Sequence, residues 1–297
     1  MLGGLLPQGC QWNTQKGAEL ADPSPISVPI ALTIAGSDSS GGAGIQADLK
    51  TFSALGVYGA SVLTALTAQN TRGVDGVLAV PPAFVASQLD SVLSDLTVGA
   101  VKTGMLANAG VILAVAEALD RNASIPLVCD PVMVATSGDV LLEPDAIGAL
   151  KERLIPRALI LTPNIPEAAR LLGRREAEDL EEMARQAEAL MALGCGGVLL
   201  KGGHGSSETA VDLLVHAGGV VPLEAPRIRT QNTHGTGCTL SAAIAALLAA
   251  GEPLEQAVRR AKTYVWRALE AGARYRIGHG SGPVDHLFGI RRQPRPA

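Results

Sequence analysis

Between residues 29 and 288 the chain alternates short apolar segments with amphipathic ones, and this alternation limits the possible folds more than any other feature. Segments such as PIALTIAG, IPLVCDPVM and GGVLLKGG predict buried strands, whereas AGVILAVAEALDRN and LEQAVRRAKTYVWRALEAG predict helices. Strands separated by helices of about 10–15 residues form right-handed βαβ units with parallel strands. The sequence therefore predicts one α/β domain at 29–288, with a central, mostly parallel sheet flanked by helices on both faces.

Two further segments fit this alternation less simply. TAVDLLVHAGGVVPLEAPRI alternates in hydrophobicity around a Gly-Gly pair and predicts a β-hairpin, and LEPDAIGALKERLIP predicts one continuous helix. Residues 1–28 and 289–297 show no periodicity, so we expect a loosely ordered N-terminal extension and a flexible basic tail.

Composition limits the classes of partner and the type of core. Hydrophobic residues make up 47% of the chain and aromatic residues only 3%, so the core must be largely aliphatic. The net charge is −4 without a basic stripe, which argues against nucleic-acid binding. No apolar run reaches the roughly 18–20 residues of a membrane span, no signal peptide is visible and no CxxC pair is present. We therefore expect a cytoplasmic protein with reduced thiols and no membrane partner.

Polar residues end several of the predicted strands. In open α/β sheets, ligands bind beyond the carboxyl ends of the strands. The sequence therefore predicts a binding site at this edge of the sheet. The residues concerned are Asp38, Gln69, Lys102, Asp130, Asn164 and Lys201.

The segment NTHGTGCTLSAA combines two glycines, hydroxyl side chains and a cysteine at the start of an apolar helix. Glycines allow consecutive backbone N–H groups to point at one spot, and the helix adds about half a positive charge there. Such a site suits a phosphate. GTG alone is equally compatible with an ordinary glycine-rich turn capped by threonine. The chain contains no GxxxxGK[ST], and GSDSSGGAG does not read GxGxxG, so a P-loop enzyme and a dehydrogenase are disfavoured.

Seven segments in a fixed order carry a resemblance to a known family. They are AGSDSSGGAGIQADLKTFSALGVYG, TALTAQNTRGV, VKTGML, TPNIPEA, KGGH, NTHGTGCTLSAA and GHGSGPVDH. Together they closely resemble the hydroxymethylpyrimidine/phosphomethylpyrimidine kinases of thiamine biosynthesis, in the ribokinase-like superfamily, from about Ala31 to Phe288. Cys238 is part of the resemblance, because most sugar kinases of the superfamily carry Asp there.

The resemblance implies a ribokinase-like fold, ATP and Mg²⁺ as cofactors and a homodimer. It also implies a reaction: phosphorylation of 4-amino-5-hydroxymethyl-2-methylpyrimidine, and then of its monophosphate, to the diphosphate used for thiamine. Phosphoryl transfer of this kind depends chiefly on positioning and charge stabilisation.

The resemblance also implies roles for individual residues. The amide of Gln69 would pair with the aminopyrimidine, Met105 would lie against its ring, and Cys238 would accept the proton of the substrate hydroxyl. We expect the helix N-terminus to lower the pKa of that thiol. The implied substrate-binding residues are Gly36, Asp48, Gln69 and Met105; the nucleotide-binding residues Asn164, Lys201 and Thr233; the Mg²⁺ ligands Asp130 and Glu167; and the catalytic residues Gly235, Thr236, Gly237 and Cys238.

Two other functions remain open. A vitamin B6 kinase of the same superfamily would also phosphorylate a ring-borne hydroxymethyl group. Some such kinases use a cysteine in the flap over the site, where this chain has Val134, Ala135 and Thr136; many relatives of the first family carry Lys at the position of Thr136. A non-catalytic pyrimidine-binding protein is the third possibility, which the presence of Asp130 and Cys238 disfavours.

Overall fold

The computed structural model describes residues 27–134, 141–143, 145–203 and 208–290. Within them, nine strands form one sheet in the order β3-β2-β1-β4-β5-β6-β7-β8-β9. The strands are β1 (Ile30–Asp38), β2 (Tyr58–Asn70), β3 (Gly73–Ala79), β4 (Ala100–Thr103), β5 (Leu127–Cys129), β6 (Ile160–Leu161), β7 (Gly197–Leu200), β8 (Thr209–His216) and β9 (Gly219–Pro226).

Eight α-helices connect or follow these strands. They are α1 (Gly44–Ala54), α2 (Pro82–Asp95), α3 (Ala109–Asp120), α4 (Ala146–Ala149), α5 (Ile165–Leu172), α6 (Leu180–Met191), α7 (Thr236–Ala249) and α8 (Leu254–Gly272). The continuous helix predicted around α4 is wrong in detail, because a wider π turn (Leu150–Leu154) and a 3-10 turn (Ile155–Arg157) follow it. Pro156 has no N–H to continue the helical hydrogen bonds. None of the helices in the described ranges is long and apolar enough to cross a bilayer.

The centre of the sheet is parallel and its edges are antiparallel. Strand β1 pairs in parallel with β2 and β4, and parallel pairing continues through β5, β6 and β7. The predicted hairpin is confirmed as β8–β9, which pairs antiparallel from Thr209↔Pro226 to His216↔Gly219. Strand β3 was not predicted; it is short, partly polar and mostly exposed, and it pairs antiparallel with β2. The sheet order therefore brings the carboxyl ends of six parallel strands to one edge.

Helices cover both faces of the sheet, as predicted. Helices α2, α3, α5 and α6 pack on one face, and α1, α7 and α8 pack on the other. Helix α7 contacts β1, β4 and β5 on one side and α1 and α8 on others. Its run Ala242–Ala246 is fully buried, and small side chains let these neighbours approach closely. The loop that precedes α7 is therefore attached to a helix fixed by packing on several sides.

Candidate active site

A cavity of about 840 Å³ lies at the carboxyl ends of the parallel strands, beside the N-termini of α1 and α7. It brings together every predicted site residue except Asp48. The predicted residues that line it are Gly36, Gln69, Met105, Asp130, Asn164, Glu167, Lys201, Thr233, Gly235, Thr236, Gly237 and Cys238. Their individual roles remain predictions, but their residue-by-residue assembly in one cavity follows from the parallel topology.

Asp48 lies beneath this cavity rather than in it. Its side chain is fully buried, and its Oδ2 accepts hydrogen bonds from Lys102 Nζ at 2.7 Å and Thr33 Oγ1 at 2.6 Å. The prediction that Asp48 contacts the substrate is therefore wrong in this structure, because strands β1 and β4 direct these two partners toward helix α1 and enclose the carboxylate. Burial raises the pKa of Asp48, although the charge of Lys102 opposes the rise.

The glycine-rich loop before α7 packs backbone to backbone against the loop before α1. Gly235 adopts a left-handed conformation with φ +79°, and a Cβ on it would collide with the carbonyl oxygen of Gly42. A Cβ on Gly42 would in turn collide with the ring of His234. Two hydroxyl groups also hold the loop to the first turn of α7. Thr236 Oγ1 donates a hydrogen bond to the Thr233 carbonyl at 2.6 Å, and Thr239 Oγ1 donates one to the Gly235 carbonyl at 2.8 Å. The N-terminus of α7 thereby lines the cavity, with the Thr236 N–H donated to the Thr233 carbonyl at 3.2 Å, and a helix N-terminus in such a place suits an anion.

A buried pair that sequence reasoning missed fastens the two loops together. His234 Nε2 and Asp38 Oδ2 are 2.8 Å apart, and the same oxygen accepts the N–H of Ala43 at 2.8 Å and of Gly42 at 3.1 Å. Asp38 Oδ1 accepts both the N–H and the hydroxyl of Ser40. Burial alone would raise the pKa of Asp38, but the hydrogen bonds from His234, Ser40 and Ala43 hold it well below its usual range. Two features of the sequence could have indicated this pair: Asp38 ends a predicted strand, and His234 directly precedes the glycines of the loop.

The C-terminal segment of the described chain holds the turn between β2 and β3. Thr71 Oγ1 accepts the backbone N–H groups of His279 at 3.2 Å and Gly280 at 3.1 Å. A Cβ on Gly280 would collide with the Thr71 carbonyl. The GHGSGPVDH motif thus positions the end of β2, two residues from Gln69.

Asp130 and Lys201 form the charged centre of the cavity. Asp130 Oδ1 accepts hydrogen bonds from Lys201 Nζ and Thr162 Oγ1, both at 3.1 Å, and Oδ2 accepts one from Ser241 Oγ at 3.0 Å. Although burial acts to raise the pKa of Asp130, the charges of Lys201 and Lys102 and these hydrogen bonds lower it. The carboxylate is therefore held ionised at the end of an apolar strand.

Glu167 lies on the other side of Lys201, with its Oε2 4.0 Å from Nζ. It also closes the start of α5: Oε2 accepts the N–H of Asn164, and Asn164 Oδ1 accepts the N–H of Glu167, both at 2.8 Å. Burial raises the pKa of Glu167 from 4.5 to about 7, and Lys201 only partly offsets the rise. The local cation is therefore not enough to keep this carboxyl group fully ionised at neutral pH.

Cys238 is the third residue of α7 and is half-buried in the cavity wall. Burial raises the pKa of its thiol to about 11, against the opposing charge of Lys102 and a hydrogen bond from the Gly44 backbone N–H. The prediction that the helix N-terminus lowers this pKa is therefore wrong, because burial is the dominant influence on the thiol. Cys129 and Cys195 are buried packing residues, as expected, and burial raises the pKa of their thiols to about 12 and 11.

The predicted flap and the two predicted terminal extensions lie mostly outside the part of the chain that the structure describes. Ala135 and Thr136 of the flap lie outside the described residues, and Val134 is the last described residue before them. Most of the predicted N-terminal extension and basic tail, with Cys10, also lie outside.

Gly235 allows a direct test of the anion loop. Gly235→Ala should lower kcat/KM severely, because the added Cβ would displace the loop from Gly42 and redirect the N–H groups of α7. Gly56→Ala is the matched control, since Gly56 also has positive φ (+77°) but open space around it. Both variants carry a backbone strain of about 1–2 kcal/mol, visible in urea unfolding. Equal activities in the two variants would contradict the proposed role of the loop contact.

Comparison with known proteins agrees with this geometry. A family model described as phosphomethylpyrimidine kinase matches residues 38–285. The chain is 60% identical over 258 residues to the hydroxymethylpyrimidine/phosphomethylpyrimidine kinase of Rhizobium meliloti, covering 87% of this chain and 97% of that protein.

Two solved structures show that the fold is ribokinase-like. The phosphomethylpyrimidine kinase of Clostridium difficile is similar with a TM-score of 0.72 and 44% identity, over 82% of this chain and 100% of that one. The pyridoxal kinase of Bacillus subtilis, solved as an ADP complex, is similar with a TM-score of 0.83 and 37% identity, over 89% of this chain and 100% of that one. The match of the family model and the identity over nearly the whole domain establish that the chain belongs to the phosphomethylpyrimidine kinase family.

Proposed function

We propose that the chain transfers the γ-phosphoryl group of ATP to 4-amino-5-hydroxymethyl-2-methylpyrimidine, and then phosphorylates the resulting monophosphate, for thiamine biosynthesis. The observation that carries this proposal is the placement of Cys238 at the start of α7, in the same cavity as Lys201, Asp130 and Gln69. One cavity thereby combines a side chain that can accept a proton, a site for an anion and a polar partner for the substrate ring, in a chain of this family.

The ring of the pyrimidine fits the end of β2. Gln69 Oε1 accepts a hydrogen bond from Thr67 Oγ1 at 3.0 Å, which leaves the amide N–H groups to donate to a ring nitrogen. A Cβ on Gly36 would lie 3.0 Å from Met105 Sδ, so the glycine leaves room for the thioether that would lie against the ring. These contacts support Gly36, Gln69 and Met105 as the substrate-binding residues.

The phosphates of ATP fit the side of the cavity away from Gln69, where the charged side chains lie. Asp130 and Glu167 offer the oxygen ligands that Mg²⁺ prefers, and the raised pKa of Glu167 shows a carboxylate that would gain from another cation. We propose that these two residues hold Mg²⁺, which when bound neutralises phosphate charge. Lys201 would neutralise the transferring group together with the N–H groups of Gly235, Gly237 and Cys238, while Thr236, whose N–H donates to the Thr233 carbonyl, would hold the shape of the loop. Loss of one such donor typically costs about 3–4 kcal/mol of transition-state stabilisation.

Apolar side chains in the lining of the cavity suit the adenine of ATP. They are Ile228, Val265, Trp266 and Leu269. Trp266 is oriented by a hydrogen bond from its Nε1 to the Pro226 carbonyl at 2.8 Å, at the end of the β8–β9 hairpin. Sequence analysis did not identify these side chains, because an apolar position on a helix does not distinguish a ligand contact from packing. Asn164 and Thr233 complete the proposed nucleotide site.

Pyridoxal is the second candidate substrate, because a structure with high similarity is a pyridoxal kinase. The greater identity to a hydroxymethylpyrimidine/phosphomethylpyrimidine kinase favours the pyrimidine. The deciding experiment incubates the full chain with MgATP and either the pyrimidine or pyridoxal, and follows products by mass spectrometry. We expect pyrimidine monophosphate and then diphosphate. A higher kcat/KM for pyridoxal, or binding without ATP turnover, would overturn the proposal.

Cys238→Ala tests the base role. We expect kcat to fall at least a hundredfold, within the range that general base catalysis contributes, while the KM for the pyrimidine changes little. Cys195→Ala is the matched control, because that thiol is buried away from the cavity and should leave kcat nearly unchanged. An unchanged kcat in Cys238→Ala would leave only the backbone N–H groups as the catalytic elements of the loop.

The raised pKa of Glu167 predicts a pH dependence for MgATP binding. The folded protein holds the proton of Glu167 up to about pH 7, so its contribution to stability is complete below the ordinary pKa of 4.5 and is lost as pH rises through 7. A cation binds the ionised form. The Kd for MgATP, measured by calorimetry, should therefore fall between pH 6 and pH 8. Glu167→Gln should lose this part of the dependence and keep only that of ATP itself; equal profiles would contradict the assignment.

We further propose the domain limits and assembly that the sequence predicts. The kinase domain would span 29–288, with 1–28 and 289–297 as extensions outside it. The homodimer remains a prediction that sedimentation of the full chain can test.

A further inference from the structure

A buried ion pair lies at the wall of the cavity, which Lys102 lines and Asp48 does not. Lys102 Nζ and Asp48 Oδ2 are 2.7 Å apart, and both side chains have an exposed fraction of 0%. Burying two charges usually costs about as much free energy as their attraction returns, or more, so stability alone is a weak reason for such a pair. Lys102 lies on β4 at the centre of the sheet and lines the cavity, which indicates a functional reason.

The pair is built to hold an ammonium group in one place. Thr33 Oγ1 donates to the same Asp48 oxygen at 2.6 Å, and no hydrogen bond to Asp48 Oδ1 is found within the described ranges. A Cβ on Gly104 would lie 2.9 Å from Lys102 Nζ, so a glycine is needed two residues along the chain to leave space for it. Strand, helix and glycine together fix the position of a buried positive charge.

That charge faces the same cavity as Cys238, and helix α7, which carries Cys238, packs against strand β4, which carries Lys102. Lys102 and Cys238 line the same cavity, and the thiol also receives the N–H of Gly44, the first residue of α1. Four charged groups influence the thiol: Lys102 and Lys201 favour its thiolate, and Asp48 and Asp130 disfavour it. Of these groups, Lys102 most strongly opposes the rise that burial causes in the pKa of the thiol. Helix α7 alone was expected to supply that stabilisation.

We propose that Lys102 stabilises the Cys238 thiolate, and that Asp48 and Thr33 are positioning residues that hold the Lys102 ammonium group in place. All three act through Cys238 and touch no substrate. This inference rests on the proposed base role of Cys238. The thiol first gives its proton to water; the thiolate then takes the proton of the substrate hydroxyl as the oxygen bonds to phosphorus and the bond to ADP breaks. Lys102 keeps its protons throughout.

The proposal predicts shifts of opposite sign. Lys102→Met removes a positive charge and should raise the pKa of the Cys238 thiol, whereas Asp48→Asn removes a negative charge and should lower it. The experiment measures alkylation of Cys238 by iodoacetamide from pH 7 to 10 in the ligand-free full chain, by peptide-resolved mass spectrometry. Cys129 and Cys195 in the same digest report any unfolding, because both are buried.

We expect Lys102→Met to label Cys238 about tenfold more slowly at a given pH, which corresponds to one pKa unit, and Asp48→Asn to label it faster. The double variant Lys102→Met/Asp48→Asn leaves no unpaired buried charge, so it keeps the test possible if a single variant fails to fold. It should still label more slowly than the unmodified chain, since the effect of Lys102 is the larger one.

Leu89→Ala is the control for loss of stability without loss of charge. Leu89 is fully buried on the opposite face of the sheet, so its truncation should lower the thermal midpoint and leave the pH dependence of Cys238 labelling unchanged. Unchanged labelling in the double variant, or shifts of the same sign in Lys102→Met and Asp48→Asn, would overturn the proposal. Failure of the kinase assay would instead count against the proposed function, because the labelling needs no turnover.

Discussion

The site depends on the contact between two glycine-rich loops whose backbones touch. Gly235 has no room for a side chain against the Gly42 carbonyl, and Gly42 has none against His234. The buried hydrogen bond between Asp38 and His234 holds the two loops together. Helix α7, which follows the second loop, is fixed by packing against the sheet, α1 and α8. Donors held in this way need little rearrangement when charge develops on a phosphoryl group, which is the main source of electrostatic catalysis.

Positive and negative side chains lie close together around this contact. Near Cys238, the buried Lys102 and the partly exposed Lys201 accompany three buried carboxyl groups, Asp48, Asp130 and Glu167, in addition to Asp38 of the loop contact. Asp130 is well compensated, whereas Glu167 has a pKa near 7 and is not. A site in this state gains from binding a cation together with a polyanion, and gains less from either alone. Under the proposed function, nucleotide and metal binding would be coupled through the protonation of this one carboxyl group.

Sequence patterns predicted the fold because hydrophobic periodicity, strand and helix length and the hairpin glycines are local properties. Strand β3 was not predicted because it is exposed and carries no apolar alternation. The break after α4 was not predicted because the helical pattern of the segment outweighed the local signal of Pro156, which has no N–H. The ordered motifs predicted which residues meet in the cavity. They could not predict that Asp48 turns away from it, or that burial outweighs the helix N-terminus at Cys238. Both depend on burial by parts of the chain that are remote in sequence, since Asp48 pairs with Lys102 of β4 and Cys238 lies against Gly44 of α1.

The glycine-rich segment that holds Thr71 has a consequence for how the protein is made. Gly280 and Thr71 are separated by 209 residues, and His234 donates its backbone N–H to the Gly282 carbonyl at 3.0 Å. Contacts between such remote residues form late, because the entropy of closing long loops must be overcome first. During synthesis, the sheet can assemble while the substrate end of β2 still lacks its support. A ribosome must therefore deliver almost the entire chain before the catalytic cavity takes its final shape, so a truncated product could keep much of the sheet and yet lack a competent site.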